Sequence, residues 1–285
     1  MPNLTKRNVL EARQARYRRR MDLRVTTPAQ AQRFVNDVGF CLLFPTQVEM
    51  PSLWDAIAGR MVKTYSSHSG YEIERTWGWK DESLNKKWWY YGKLLRHKAT
   101  LVSLDFLPNF YALSDNYGDY EHDYLEEYRE GRLSAEAKAI YEALLKNGAL
   151  DAIRLRRESH MSAEASKPRF EKALTELQIG LKVLPVGIAE AGAWRYAFIY
   201  EVLPRWLPDV PERARGIGRG QARQAILDQY LRNVIATTIK DISRIFGWTV
   251  DETQHIADAL AQQGRLTLAV KVTGISQLQI VTTSV

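Results

Sequence analysis

The clearest periodic pattern in the chain begins at Lys167. Its apolar residues follow the i, i+3, i+4, i+7, i+11 spacing of one helix face: Phe170, Ala173, Leu174, Leu177 and Leu181. Two β-rich runs, LKVLPVGI and WRYAFIY, follow this helix and flank Ala191-Gly192. A helix that leads directly into a hairpin predicts the end of a winged helix-turn-helix, a module that places a helix in the DNA major groove.

A similar succession is predicted near the C-terminus. AILDQYLRNV and TTIKDISRIFG each predict a helix, and Thr249 with Glu252 forms a capping box that opens a third. LTLAVKV and LQIVTT then predict a hairpin around Thr273-Gly274. The expected fold class is therefore α+β and mainly α, with tandem winged helix-turn-helix domains and small β-hairpins.

Other start and stop signals organise the N-terminal half. Thr27 followed by Pro28 predicts a capped helix that stops near Gly39, and FCLLFP then predicts a short strand. Ser134 predicts the cap of a helix that ends at Gly148. These signals predict a basic N-terminal arm (1–25), an N-terminal winged-helix-like domain with a Trp/Tyr-rich region (26–130), a central winged-helix domain (131–211), a linker (212–220) and a C-terminal winged-helix domain (221–285).

Charge is concentrated in the N-terminal arm. The 285 residues carry a formal net charge of +7, and the first 24 residues hold eight Lys and Arg against two acidic residues. Such an arm is suited to phosphate contact through Arg18, Arg19 and Arg20, although a solvated extension is the alternative. The arm shows no evident core residue, so its deletion is expected to leave the melting temperature nearly unchanged.

Several classes of protein are disfavoured by composition. No uninterrupted apolar run reaches the ~18 residues of a membrane span, and the N-terminus is basic and polar rather than of signal-peptide type. The single cysteine, Cys41, excludes an internal disulfide framework, so a reducing cytoplasm is the expected location. The five histidines show no metal-ligand spacing and GIGRG follows no strand, so we expect no metal and no cofactor.

Three segments carry a resemblance to a known family. They are YEVLPRWLP, GWTVDETQHIADALAQQGRL, and the N-terminal helix with VGF, an apolar strand and SLWDAI. Over roughly residues 26–270 the chain resembles the winged-helix DNA glycosylases typified by AlkZ and YcaQ. The resemblance implies double-stranded DNA as the partner and a link to DNA repair.

The resemblance also exposes a departure at the position of the family's chemistry. Family members carry a Gln-x-Gln or Gln-x-Asp pair on the strand after the first helix, and counting from Gly39 places Leu42 and Phe44 there. Neither side chain can activate water or stabilise a developing cation. The sequence therefore predicts that no catalytic residue remains, with three weak replacement candidates: Gln47, Glu49 and Asp55.

Candidate DNA contacts lie in the central domain. The expected contacts are the polar face of the periodic helix and the hairpin tip: Lys167, Arg169, Lys172, Thr175, Trp194 and Arg195. The tryptophans and tyrosines of residues 71–100 suit either base stacking or a buried core. In the C-terminal domain the corresponding helix is acidic, which favours a structural role or contact with a protein partner.

Three functions are compatible with these features. The leading hypothesis is a DNA-binding protein of the AlkZ-like family, linked to repair and without its glycosylase chemistry. The second is an active DNA glycosylase that removes alkylated or crosslinked bases with a displaced catalytic group. The third is a structural or protein-interaction protein that keeps the winged-helix fold.

Overall fold

The computed structural model describes residues 4–62, 70–192 and 195–283. Two compact units divide the chain: unit 1 comprises residues 1–78, 101–106 and 219–285, and unit 2 comprises residues 79–100 and 107–218. Helices with small antiparallel sheets make up both units, so the predicted α+β, mainly α class is confirmed. Across the described ranges, none of the helices has the length and apolar character that a membrane crossing requires.

The regular elements are numbered in chain order. The helices are α1 (Lys6–Arg16), α2 (Pro28–Val38), α3 (Leu53–Ala58), α4 (Tyr71–Lys86), α5 (Leu107–Tyr111), α6 (Asp123–Arg129), α7 (Ala135–Asn147), α8 (Ala152–Glu158), α9 (Lys167–Ile179), α10 (Leu203–Trp206), α11 (Asp209–Ala214), α12 (Arg219–Val234), α13 (Ile239–Phe246) and α14 (Val250–Gln262). The strands are β1 (Phe40–Leu42), β2 (Tyr90–Gly92), β3 (Thr100–Val102), β4 (Leu150–Asp151), β5 (Val183–Ala189), β6 (Ala197–Val202), β7 (Ala236–Thr237), β8 (Leu266–Val270) and β9 (Gln279–Thr282).

Side-chain caps begin the helices where the sequence predicts them. Thr27 and Thr249 each form a capping box, and Ser134 caps α7 by accepting a hydrogen bond from the backbone of Ala137. These bonds satisfy backbone N–H groups that the first helical turn leaves without partners. Gly39 ends α2 with φ 72°, a left-handed value that glycine adopts without the steric cost that a Cβ adds.

In unit 1, residues near the start of the described chain pack against residues near its end. β9 lies between β7 and β8, with both neighbours antiparallel to it, and β1 lies beside β3. Val9 of α1 packs in a cluster with residues from the segment after α12: Ile235, Ala236, Val272 and Val281. At Thr273 the backbone N–H and C=O bond to Leu4 and Lys6, so the N-terminal segment is tied to the last hairpin.

The N-terminal arm is part of this core. Val9 is 1% exposed and Tyr17 is fully buried, while Arg13 donates hydrogen bonds of 2.7 and 2.6 Å to the carbonyl oxygens of Val234 and Ala236. The expectation that residues 1–24 hold no core residue is therefore wrong. The expectation fails because an arginine-rich sequence suggests a solvated surface, whereas arginines can also donate to backbone carbonyl oxygens inside a fold.

Unit 2 is built around the helix and hairpin predicted from periodicity. α9 packs against α7, and its buried face places Phe170, Ala173, Leu174 and Leu177 within one hydrophobic core. Leu181, the last residue of the predicted stripe, is buried but lies beyond the end of the helix, with φ 53°. β6 lies between β4 and β5, with Val183 opposite Val202 and Ala189 opposite Ala197. The register shifts between Pro185, which cannot donate a ladder hydrogen bond, and Gly187, which has no side chain to pack in the sheet.

The segment from 212 to 220 includes the end of α11 and the first two residues of α12. Unit 2 ends at Gly218 and the third segment of unit 1 begins at Arg219. The chain therefore passes from one unit to the other within a short stretch that contains three glycines.

Candidate functional site

The end of β1 is apolar and enclosed. Leu42 is 3% exposed, and its backbone N–H donates to the Pro51 carbonyl oxygen at 3.0 Å. Two residues further on, the ring of Phe44 has its centroid 5.3 Å from that of Trp54 and 5.1 Å from that of Trp77. The positions that the sequence predicts to align with the family's polar pair thus present hydrocarbon and ring surface rather than an amide or a carboxylate.

Of the three replacement candidates, Asp55 is committed to internal contacts. Its side chain is fully buried, and its Oδ2 accepts hydrogen bonds from Arg19 Nε at 2.9 Å and Arg19 Nη2 at 2.6 Å. The other oxygen, Oδ1, accepts from the backbone N–H of Val62 at 2.8 Å. A carboxylate with both oxygens occupied in this way is suited to holding α3 in place rather than to activating water.

Glu49 is the more accessible carboxylate. Its side chain is 39% exposed, with one oxygen 3.1 Å from Arg13 Nη1 and the other 3.8 Å from Arg19 Nη1. Each oxygen of the Glu49 carboxylate therefore already contacts a guanidinium group. Gln47, two residues earlier, is exposed on the same loop.

The three arginines expected to contact phosphate have different environments. Arg18 forms an ion pair of 3.2 Å with Asp37, and Arg20 forms one of 2.6 Å with Asp22 at the surface. Arg19 is only 8% exposed because Asp55 holds it inside unit 1. Arg18 and Arg20 are consequently accessible to a ligand, whereas Arg19 has little accessible surface.

Tyr17 adds a buried polar group beside these arginines. Its ring lies under the Arg19 guanidinium, 4.6 Å from the ring centroid, and its hydroxyl has no hydrogen-bond partner among the described residues. Burial raises the pKa of the Tyr17 hydroxyl well above its usual value, and the negative charge of Glu49 acts in the same direction. The neutral phenol is therefore strongly favoured in the folded protein.

The exposed face of α9 carries the candidate DNA contacts of unit 2. Lys167, Arg169 and Lys172 are exposed, and Thr175 is half-buried. Arg169 Nη1 lies 3.4 Å from a carboxylate oxygen of Glu136. A groove of about 590 Å³ runs along this face between α9 and the turn after β2, and it is lined by Lys93, His97, Pro168, Glu171, Lys172, Thr175, Glu176 and Ile179. The structure thus brings Lys172 and Thr175 together with Lys93, whose Nζ is 3.3 Å from Thr175 Oγ1.

The hairpin tip is described only in part. Trp194 lies outside the described residues. Arg195 is 79% exposed, and its Nη2 lies 2.5 Å from a carboxylate oxygen of Glu190 across the tip. The backbone of Arg195 has φ 48°, a left-handed conformation that residues other than glycine seldom adopt.

A buried lysine contacts the β5–β6 hairpin, and the sequence did not predict this contact. Lys80 of α4 is fully buried, donates to the Tyr196 hydroxyl at 2.6 Å and lies 2.5 Å from Asp81 Oδ1. Burial lowers the pKa of the Lys80 ammonium, although Asp81 opposes this shift. The ammonium also lies 4.5 Å from the Phe198 ring centroid, so it joins α4 to β6. No spacing rule relates position 80 to position 196, so only the fold could reveal this contact.

One further polar surface lies on α14. On α14, Asp251, Gln254 and His255 are exposed, and Glu252 lies 3.1 Å from Arg223 of α12. Among the residues that the structure describes, no group of three or more His, Cys, Asp and Glu side chains is arranged to hold a metal ion.

Comparisons with known proteins place the chain in a family. The AlkZ-related family matches residues 25–247. Among solved structures, the DNA glycosylase AlkZ of Streptomyces sahachiroi is similar, with a TM-score of 0.54 and 16% identity over 95% of this chain and 69% of that chain. No curated protein matches the chain. At this identity the structural likeness establishes the fold alone, but the family match covers most of the chain and confirms the resemblance found in the sequence. The chain belongs to the AlkZ-related family.

Proposed function

We propose that this protein binds double-stranded DNA in a repair-linked role and does not excise bases. The observation that carries the proposal is the packing of the Phe44 ring against the rings of Trp54 and Trp77, at a position that we predict to align with the family's polar pair. Excision requires a group that activates water or stabilises an oxocarbenium-like transition state. Leu42 and Phe44 supply neither.

The exposed cations of α9 support DNA as the ligand. The exposed side chains of Lys167, Arg169 and Lys172 are positively charged, and Thr175 adds a hydroxyl to the same helix. The antiparallel β5–β6 hairpin follows this helix. We interpret α7, α9 and the β5–β6 hairpin as a winged helix in which α9 is the recognition helix and Arg195 belongs to the wing. Arg18 and Arg20 offer further exposed charge on unit 1.

A second function rests on Glu49. Its carboxylate is 39% exposed and lies on the loop that follows β1, where a displaced catalytic base would be useful to a DNA glycosylase. The contacts with Arg13 and Arg19 oppose this role because they already engage both carboxylate oxygens. We therefore keep glycosylase activity as the alternative.

The acidic face of α14 suggests that this helix and α9 have different roles. Asp251 is exposed near the N-terminus of this helix, where phosphate would meet like charge. We assign DNA contact to α9 and a structural or protein-contact role to α14. A cytoplasmic location suits this proposal, since Cys41 is a buried free thiol.

The test is a titration of duplex DNA at two or more salt concentrations. We expect log K to fall linearly with log[salt], with a slope of about −0.9 for each phosphate contacted. The absence of binding at low salt, or a salt response near zero, would refute the proposal. A parallel assay of base release from alkylated DNA separates the binding protein from the glycosylase.

A further inference from the structure

A polar cluster inside unit 2 holds one end of the β5–β6 hairpin. Tyr196, the residue before β6, accepts a hydrogen bond from Lys80 Nζ at 2.6 Å and donates one to Asp81 Oδ1 at 2.7 Å. Lys80 Nζ and Asp81 Oδ1 are themselves 2.5 Å apart, so the three side chains form a closed set of contacts. All three residues belong to unit 2.

Aromatic rings surround the lysine of this cluster. The Lys80 ammonium lies 4.5 Å from the ring centroid of Phe198, 5.4 Å from that of Tyr196 and 5.5 Å from that of Tyr91. The Tyr196 ring also meets Phe198 edge to face, at an interplanar angle of 73°. A buried ammonium held by a carboxylate, a hydroxyl and several rings is costly to displace. The Tyr196 hydroxyl is therefore fixed in position, although the residue is 42% exposed.

Arg195 precedes this anchored tyrosine. Its side chain is 79% exposed, and its left-handed backbone (φ 48°) is a strained conformation that persists where the surrounding contacts impose it. Those contacts are the anchored Tyr196 on one side and the ion pair with Glu190 across the tip. An ion pair this exposed contributes little to stability, so a phosphate can take the place of Glu190. The hairpin end thus holds an exposed cation in one place.

We propose that Tyr196, held by Lys80 and Asp81, is a positioning residue for DNA: it fixes the hairpin end so that Arg195 meets a backbone phosphate. The inference rests on the proposed function and identifies what orients its wing. A wing that is ordered before binding loses less conformational entropy than a mobile one. Orientation matters for Arg195 because a planar guanidinium donates to phosphate oxygens through paired N–H groups.

The experiment measures duplex DNA binding by fluorescence anisotropy at several salt concentrations. The proteins are wild type, Arg195→Gln, Tyr196→Phe, the double variant and Tyr128→Phe. Tyr196→Phe keeps the ring and removes only the hydroxyl that Lys80 and Asp81 hold. Tyr128 is a matched control because it is a tyrosine of unit 2 with 40% exposure. Thermal denaturation of each protein records its stability separately.

Arg195→Gln should reduce the magnitude of the log K–log[salt] slope by about 0.9, the value for one phosphate contact. Tyr196→Phe should reduce the slope by a similar amount. The double variant should show no further reduction, because the two residues act through one contact. Tyr128→Phe should behave as wild type.

An unchanged slope for Tyr196→Phe, even with a lower melting temperature, would show that the cluster only stabilises the fold and would overturn this inference. An unchanged slope for Arg195→Gln, or additive reductions in the double variant, would overturn it as well. In these cases the wild-type protein still binds the duplex, so the proposed function stands. Failure of the wild-type protein to bind at low salt would refute the proposed function and this inference together.

Discussion

Arg19 donates two hydrogen bonds to a single oxygen of the fully buried Asp55. The pair joins the N-terminal segment to α3, the helix whose Trp54 packs against Phe44. Breaking a buried pair leaves a charge without compensation inside the protein, so it costs far more than breaking a surface pair.

We therefore expect Arg19→Ala to lower the free energy of unfolding by about 3–5 kcal/mol. The next residue provides the control: Arg20→Ala removes an exposed pair with Asp22 and should cost less than about 1 kcal/mol. Urea denaturation followed by circular dichroism measures both. Equal costs for the two variants would show that the Arg19–Asp55 pair contributes no more than a surface contact.

Neighbouring residues of α1 test whether this helix belongs to the core. Val9 is 1% exposed and Leu10 is 41% exposed. Val9→Ala should destabilise the protein by about 2 kcal/mol through lost burial and the cavity left behind. Leu10→Ala should stay within about 0.5 kcal/mol of wild type. Similar thermal stability of Val9→Ala and wild type would restore the view of the arm as a dispensable extension.

The buried Tyr17 hydroxyl predicts a pH dependence of stability. Its pKa is raised in the folded state, so the folded protein holds this proton more tightly than the unfolded chain. The resulting stabilisation is fully present below pH ~10, the usual tyrosine pKa, and is lost as the pH rises above that value. Tyr17→Phe should make the alkaline loss of stability shallower by about 1.4 kcal/mol per pH unit.

Urea titrations between pH 9 and pH 11 measure that difference. The exposed Tyr117 supplies the control, since Tyr117→Phe should leave the slope unchanged. Tyr17→Phe should also stabilise the protein slightly at neutral pH, because a buried hydroxyl without a partner among the described residues carries a desolvation cost. Parallel curves for wild type and Tyr17→Phe would contradict the assignment.

Lys172 is the cation that best tests α9 as the DNA-contacting helix. It is exposed and lines the groove beside Thr175. Lys172→Gln should weaken duplex binding and reduce the magnitude of the log K–log[salt] slope by about 0.9. Lys146→Gln removes an exposed lysine from α7 of the same unit and should change neither quantity. Matching slopes for the two variants would move the DNA contact away from α9.

The proposed absence of base excision can also be measured. Incubation of the wild-type protein with alkylated duplex should release no more free base than the buffer does, because Leu42 and Phe44 offer no polar group. Leu42→Gln combined with Phe44→Asp restores polar groups at the aligned positions, and base release by this variant would show that only the side chains had been lost. Wild-type release abolished by Glu49→Gln would instead establish the glycosylase alternative.

Local signals in the sequence were sufficient for much of the fold. The caps at Thr27, Ser134 and Thr249 and the apolar stripe of α9 each depend on residues within a few positions of one another. The two-residue strands β4 and β7 were not predicted, because a segment this short is a strand only through its pairing with a strand distant in sequence.

The candidate site was less predictable for the same reason. Composition marks Arg18, Arg19 and Arg20 as equivalent, but Asp55, 36 positions away from Arg19, buries the middle one. Similarly, the aromatic richness of residues 71–100 could not separate the buried Trp79 from the exposed Trp77. Both distinctions depend on long-range packing rather than on residue type.

The division of the chain between the two units has a consequence for biosynthesis. Unit 2 is complete once the chain has been made through Gly218, whereas unit 1 needs the segment that begins at Arg219. Until that segment emerges, Val9 lacks the neighbours that bury it, and Arg13 lacks the carbonyl oxygens of Val234 and Ala236. A nascent chain therefore carries an unfinished N-terminal unit, with the apolar side of α1 unburied, until the last segment of unit 1 has been made.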